Sequence, residues 1–325
     1  ETGLSQVSEV WLAHDPEARA DRRLVLIKRV RADLKDDNDV IKAFIDEEGA
    51  LRRLDHPNVV RVRDFGRVEG RSFLALDHVW GETLLTVSRL CLERKIPFPA
   101  RAALYIGGQV AQALDHAHTR PGPRGERSPV IHRDVTLNNV LIGYGGEVKV
   151  LDFGIAKAEG RLSSTAMGQI KGNPEYLAPE QLAQGTLGPY TDVFQLGVML
   201  YKLLVGRRPI DAKDEATFIA KHTKAEITKP SEDEKGFPAG SEQIVLKAKA
   251  REPADRFKSA SEMARAMSEL LTPAWRQGDK QLATLLAKLA GARHEQQRAF
   301  VEKRIKGLEG EAGHGDLLRR ALGEE

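Results

Sequence analysis

Cysteine is nearly absent: Cys91 is the only one among 325 residues. A single thiol excludes an intramolecular disulfide and a cysteine-based zinc site, and it fits a reducing compartment. Between Leu90 and Leu92, Cys91 reads as a small buried apolar residue rather than a reactive thiol. Long apolar runs are missing too. The longest, near Leu196–Val205, is broken by Lys202, so no membrane span is expected in this chain, and no signal peptide is visible. Nor does one sign of charge dominate. Fifty Lys and Arg against 47 Asp and Glu leave a formal net charge of +3. With its basic residues scattered, the chain gives no argument for nucleic acid or an anionic membrane as its main partner. No repeat recurs at a fixed period and no low-complexity tract stands out. The expectation is a cytoplasmic protein whose 41% apolar content supports a sizeable core.

What is present is ordered along the chain. Val7–Leu12, Leu24–Val30, Val59–Phe65 and Ser72–Val79 have the β-branched, partly alternating look of strands. Asp39–Leu54 reads as an amphipathic helix, with Ile41, Phe44, Ile45, Glu48, Leu51 and Leu54 mainly on one face. Helical patterns follow over Pro99–His118, Thr191–Val205, Ser241–Ala250 and Ser259–Leu271, the last two each opening on a serine suited to cap a helix. Beyond Pro273, Leu282, Leu285, Leu286 and Leu289 form an i, i+3, i+4, i+7 stripe, continued by Phe300, Val301, Ile305 and Leu308. This tail either packs back on the main body or serves as a regulatory or self-associating extension. The expected division is a strand-rich unit over 1–80, a helical unit over 81–271 and a helical extension over 272–325.

The chemistry concentrates between Ile131 and Gly154. Ile131-His132-Arg133-Asp134-Val135-Thr136-Leu137-Asn138-Asn139 is followed by Leu151-Asp152-Phe153-Gly154. An aspartate can orient a hydroxyl, while an asparagine and a second aspartate offer hard oxygen ligands, the set that Mg²⁺-assisted phosphoryl transfer needs. Either segment alone is a weak signal. In this order, with Asp134 and Asp152 18 residues apart, they are strong. They resemble the catalytic loop and Asp-Phe-Gly motif of the protein kinase family. The resemblance extends over roughly Gly3 to Leu271.

That resemblance implies a bilobal α+β fold: a small antiparallel sheet with one main helix, then a larger helical lobe. It implies ATP and Mg²⁺ as cofactors and a protein substrate. Position by position, Lys28 matches the strand lysine that grips the phosphates. Glu47 matches its helix partner, with Glu48 a rival if the register is one off. Leu76 falls at the gatekeeper position, and the Asp77 carbonyl and Val79 amide would meet adenine. Gly3, Val10 and Leu141 complete the expected nucleotide contacts. Asp134 would orient the acceptor hydroxyl, and Asn139 and Asp152 would hold the metal. His132 and Phe153 resemble members of an apolar stack. Gly172-Asn173-Pro174-Glu175-Tyr176-Leu177-Ala178-Pro179-Glu180 resembles the end of an activation segment, which small-molecule kinases lack. Glu180 and Arg256 would form its anchoring ion pair, and Asp192 would brace the catalytic loop. Arg133 would meet a phosphate on the activation segment, with Ser163, Ser164 and Thr165 either its acceptors or only a polar loop.

The departures from the family pattern are specific. Gly3-Leu4-Ser5-Gln6-Val7-Ser8-Glu9-Val10 keeps only the first glycine of the phosphate-covering loop, and glycine is what lets a backbone approach phosphate closely. Leu26 stands where the family has an alanine over the adenine, and overfilling a tight slot costs ~1–3 kcal/mol. Thr136 replaces a lysine, and losing one preorganised donor costs ~3 kcal/mol in other enzymes. Asn173 replaces a threonine in contact with that lysine, so the pair has changed together. An aspartate followed by Val and then Ser or Thr resembles bacterial Hanks-type kinases. The leading expectation is therefore a bacterial-type Ser/Thr protein kinase that autophosphorylates its activation segment. The alternative is a pseudokinase acting as a nucleotide-sensing or scaffolding module.

Overall fold

The computed structural model describes residues 3–4, 7–19, 23–122, 125–126, 128–153, 174–210, 213, 215–224 and 239–311. The chain divides into two compact units. Unit 1 comprises Glu1–Asp55, Val60–Trp80 and Ala290–Glu325; unit 2 comprises His56–Val59 and Gly81–Leu289.

Unit 1 is built on β1 (Gly3–Leu4), β2 (Ser8–His14), β3 (Leu24–Val30), α1 (Asn38–Leu51), β4 (Val62–Val68) and β5 (Arg71–Asp77). The strands form one antiparallel sheet in the order β1-β2-β3-β5-β4. Register sets its chemistry. Val10 pairs with Lys28 and Lys28 with Leu74; Leu12 pairs with Leu26 and Leu26 with Leu76. Side chains alternate along a strand, so Val10, Leu26, Lys28 and Leu76 share one face. The Asp37 carboxylate caps α1, accepting from Asp39 N at 3.0 Å and Val40 N at 3.1 Å. The helix buries Val40, Phe44, Glu47 and Leu51, one stripe at helical spacing. Glu47 thus occupies a core-facing position, where a carboxylate needs a partner.

Several of the expected strand and helix limits shift. Val59 makes only an isolated bridge to Val150, and pairing with β5 begins at Val62, with a register irregularity before Asp64. β5 stops at Asp77 rather than Val79, and α1 stops at Leu51 rather than Leu54.

Unit 2 continues with β6 (Gly81–Thr83), α2 (Leu84–Glu93), α3 (Ala100–Thr119), β7 (Val140–Gly143), β8 (Val148–Val150), α4 (Pro179–Leu182), α5 (Pro189–Val205), α6 (Glu215–Thr223), α7 (Ser241–Ala248), α8 (Ala260–Glu269) and the first part of α9 (Gly278–Glu311). Its core is α3 against α5 and α8. From Thr191 to Val205 every α5 residue but Lys202 is buried. α3 contributes Ala102, Ala103, Ala111, Ala113 and Ala117 among larger apolar residues, and such small side chains let helices approach closely. Each leucine buried here contributes ~1.5–3 kcal/mol. β6, β7 and β8 form a small antiparallel sheet, and a Cβ on Gly81 would lie 2.3 Å from Ile142 O, so the β6–β7 approach requires glycine.

Ser259 caps α8 as expected, accepting from Glu262 N at 3.1 Å. Ser241 does not cap α7: it is buried inside the first turn, and Gly240, at φ 86°, takes the cap position. Cys91 is buried, and burial pushes its thiol up, as an inert apolar filler requires. The tail is one helix, α9, in which Leu282, Leu286 and Leu289 are buried in unit 2 and Arg94 donates to the Lys288 and Leu289 carbonyls at 2.7 and 2.6 Å. From Ala290 onward α9 counts with unit 1, where Trp80 packs on His294 with ring centroids 5.8 Å apart. Phe300 is exposed. Among the described residues no helix is long and apolar enough to cross a membrane.

Candidate active site

In unit 1 the decisive contact is Lys28 Nζ on Glu47 Oε1 at 2.7 Å. Glu48, the rival on the same helix, pairs with Arg52 one turn on. A helix turns about 100° per residue, so neighbouring glutamates cannot serve the same partner. Lys28 sits mid-strand on β3 with only 14% of its side chain exposed, so both its stem and its head are constrained. Val10, Leu26 and Leu76 lie on its side of the sheet, as the register dictates. Gly3 is the cross-strand partner of Val10. Asp77 closes β5 with its N–H on Arg61 O at 2.9 Å and its carboxylate on Arg63 Nε at 2.5 Å. Val79 is half-buried just beyond. Between them, His78 stacks edge-on to Trp80 at 4.8 Å, and burial followed by the Arg63 charge pushes its pKa down to about 4.

In unit 2, Asp134 and Asn139 meet directly. Asn139 Nδ2 donates to both the Asp134 carbonyl and Asp134 Oδ2, each at 2.8 Å. Using the amide nitrogen twice fixes the carboxamide, with Oδ1 as its acceptor. Asp152 is brought alongside by the β7–β8 hairpin. Val140 pairs with Val150, and Leu151 N donates to Asn139 O at 2.9 Å, so Asp152 is one residue from a bond to Asn139. Leu141, half-buried on β7, pairs with Lys149 and with Thr83. Asp152 is exposed at φ 43° and Arg133 sits at φ 68°. Non-glycine residues in such conformations cost ~1–3 kcal/mol and cluster at functional sites.

The loop carrying Asp134 has no regular structure, so its backbone is held by side chains. Asp192, fully buried, accepts from His132 N at 2.8 Å, Arg133 N at 2.7 Å and His118 Nε2 at 2.7 Å. Burial would raise its carboxyl; the His118 hydrogen bond and these neighbours outweigh that and hold it below its ordinary range. His132 Nε2 bonds Leu151 O at 2.9 Å and its Nδ1 accepts Asp134 N at 3.3 Å, which makes it the neutral Nε2–H tautomer. Its ring packs on Phe153 with centroids 4.5 Å apart. Histidine here is a brace, with both nitrogens committed to backbone.

The Glu180–Arg256 pair is bidentate, at 2.8 and 2.9 Å. Arg256 also donates to the Ala250, Arg251 and Tyr190 carbonyls, and Thr191 Oγ1 donates to Glu180. Burial alone would raise the Glu180 carboxyl, but Arg256 and the other donors hold it down. Gly154, Ser163, Ser164, Thr165, Gly172 and Asn173 lie outside the described residues. Sequence reading missed His118, Gln181 and Gln195. Gln195 had a visible signal: an uncharged polar residue inside the apolar α5 run.

Against known families, the protein kinase domain model matches residues 5–296. The chain belongs to the protein kinase family. It is 34% identical over 266 residues to the tyrosine-protein kinase MasK of Myxococcus xanthus, covering 82% of this chain and 41% of MasK. It is 33% identical over 261 residues to the serine/threonine-protein kinase PrkC of Bacillus subtilis, covering 80% of this chain and 38% of PrkC. The chain thus spans about two-fifths of the length of these curated relatives. Among solved structures, the PknI kinase domain of Mycobacterium tuberculosis matches with TM-score 0.61 and 27% identity, covering 83% of this chain and 94% of that one. The fold is the protein kinase fold, α+β, with a sheet-rich unit and a largely helical one.

Proposed function

We propose that this chain transfers the γ-phosphoryl group of ATP to serine or threonine hydroxyls of protein substrates, its own activation segment among them. The observation that carries this reading is the double bond of Asn139 Nδ2 to Asp134, with Asp152 held beside Asn139 through Leu151. On this reading one Asp134 oxygen is oriented by Asn139, and the Asn139 carboxamide oxygen and the Asp152 carboxylate serve one cation. Asn139 and Asp152 would hold Mg²⁺, an ion suited to a site with few protein oxygens. When bound, Mg²⁺ neutralises charge on the transferring phosphoryl group.

The side chains then divide the work. Lys28, steered by Glu47, meets the α- and β-phosphates. Val10, Leu26, Leu76 and Leu141 supply apolar contacts to the base, the Asp77 carbonyl and Val79 amide its polar edge, and Gly3, on β1 opposite Val10, completes the nucleotide contacts. Asp134 accepts the substrate hydroxyl's hydrogen bond and aims its oxygen at the γ-phosphorus. The Ala178-Pro179-Glu180 platform, anchored on Arg256, favours a peptide over a small-molecule acceptor. ATP as donor places the reaction in the cytoplasm.

Purified protein incubated with labelled ATP and Mg²⁺ should phosphorylate itself, and Asp152→Ala should cut the rate by about 10⁴-fold or ~5 kcal/mol of barrier. Acid hydrolysis should release phosphoserine or phosphothreonine; phosphotyrosine would overturn the acceptor assignment. No incorporation, with ATP still raising the melting temperature, would favour a nucleotide-binding scaffold instead.

A further inference from the structure

Asp192 holds the amides before Asp134, yet the chain on the other side of Asp134 is held by different groups. Val135 N donates to Gln195 Oε1 at 2.9 Å. Gln195 Nε2 donates to Arg133 O at 2.9 Å and to Gln181 Oε1 at 3.0 Å. Gln181 Nε2 donates to the same Arg133 O at 3.1 Å, and Gln181 Oε1 accepts Ala178 N at 2.8 Å. Val135 N and Ala178 N can only donate and Arg133 O can only accept, so both carboxamides have one allowed orientation. Gln195 is 0% exposed. Both of its amide hydrogens are used, and so are both lone pairs of the Arg133 carbonyl.

These bonds grip the peptide groups on either side of Asp134. They also run from the catalytic loop, through two side chains, to the backbone of the Ala178-Pro179-Glu180 platform. Arg133, at φ 68°, needs such external holds to keep its conformation.

We infer that Gln195 and Gln181 are positioning residues, a carboxamide pair that makes the aim of the Asp134 carboxylate depend on the seating of the substrate platform. The inference rests on the phosphotransfer reading for its kinetic consequence, but not for its structural one. Neither glutamine touches a reacting atom. Their removal should lower turnover, not ATP binding, because Lys28, Glu47 and Asn139 are untouched.

The test uses the full chain. Gln181→Leu, at the half-buried and more tolerant position, should reduce kcat about 10- to 100-fold, the cost of a small misplacement of a reacting group, with KM for ATP unchanged. Gln195→Leu should do the same, and the double variant should be no worse than the worse single one, since both act through Arg133 O. Gln181→Glu should show rising kcat as pH falls, because only the protonated acid can donate to Arg133 O. A purely structural role would lower the melting temperature without that pH profile. Amide exchange at Val135 and Ala178 should be slow in the native chain and faster in Gln181→Leu. This readout stands even if the protein transfers no phosphate, so the two readings fail separately. Unchanged kcat in folded Gln181→Leu, or unchanged exchange at both amides, overturns the inference.

Discussion

Lys28 in unit 1 and Asp134 in unit 2 are both charged groups of the proposed site, but they are held in opposite ways. Lys28 stands mid-strand, and one carboxylate from one helix is enough to steer it. Asp134 stands on a loop, where no ladder fixes the backbone. Asp192, His132, Asn139, Gln195 and Gln181 together do what β3 does alone for Lys28. Regular structure supplies orientation through its own hydrogen bonds; a functional loop must borrow its holds from buried polar side chains. Asp192, His132 and Gln195 are fully buried, so unit 2 should couple stability to function more tightly than unit 1.

The sharpest way to break this contrast is Arg256→Ala. It would leave Glu180 buried without its cation, and breaking such a pair singly costs ~3–5 kcal/mol. Denaturant unfolding should report that loss, with activity falling alongside. A loss below about 1 kcal/mol would show that the network is less coupled than its geometry implies.

Glu47→Gln is the corresponding cut in unit 1. It removes the charge but keeps an acceptor near Lys28, so stability should change by no more than about 1 kcal/mol. Turnover should still fall about 10²-fold because the ammonium is no longer steered. Equal losses of stability and activity here would erase the distinction between the units.

The smallest effect sharpens the picture within unit 2. Lys249 and Arg256 lie against the same Phe194 ring, 4.3 and 4.9 Å from its centroid. Every nitrogen of Arg256 has a partner, whereas Lys249 Nζ is buried without a hydrogen bond among the described residues. Burial and then the Arg256 charge push the Lys249 pKa down from 10.5 to about 7. The unfolded chain holds that proton up to its ordinary pKa, so folding must strip it or bury it charged. The cost is absent above pH 10.5, grows as pH falls towards 7, and is complete below. Lys249→Met should therefore stabilise the protein by ~1–2 kcal/mol near neutrality, with a smaller gain at high pH. Thermal melts across that range should show it; a destabilised variant at every pH would mean the amine has a partner that matters.

Much of the candidate site was legible because its residues lie in short contiguous motifs. Asp134, Asn139 and Asp152 are recognisable in a line of text because one loop and one hairpin bring them together. Leu24–Val30 was legible to the residue, since its β-branched run has clear polar borders. Glu47 is favoured over Glu48 by the family resemblance, not by the helix pattern: both lie on α1 and both are buried, and the Lys28 contact falls on Glu47. The limits at Val59, Val79 and Leu54 were overdrawn because apolar character continues past the point where pairing or helical bonding stops. Gln181 and Gln195 went unread because a buried carboxamide has meaning only through its partners, which lie up to 62 residues away in sequence.

The order of strand-rich and helical segments, the identity of the reactive groups and the single inert thiol were all determined by sequence, since each depends on residue type and local spacing. Tertiary structure alone decided which tautomer His132 adopts and how a strained loop is held. Those outcomes depend on distances between groups far apart along the chain, and a buried polar atom takes its role from whichever partner folding places within about 3 Å.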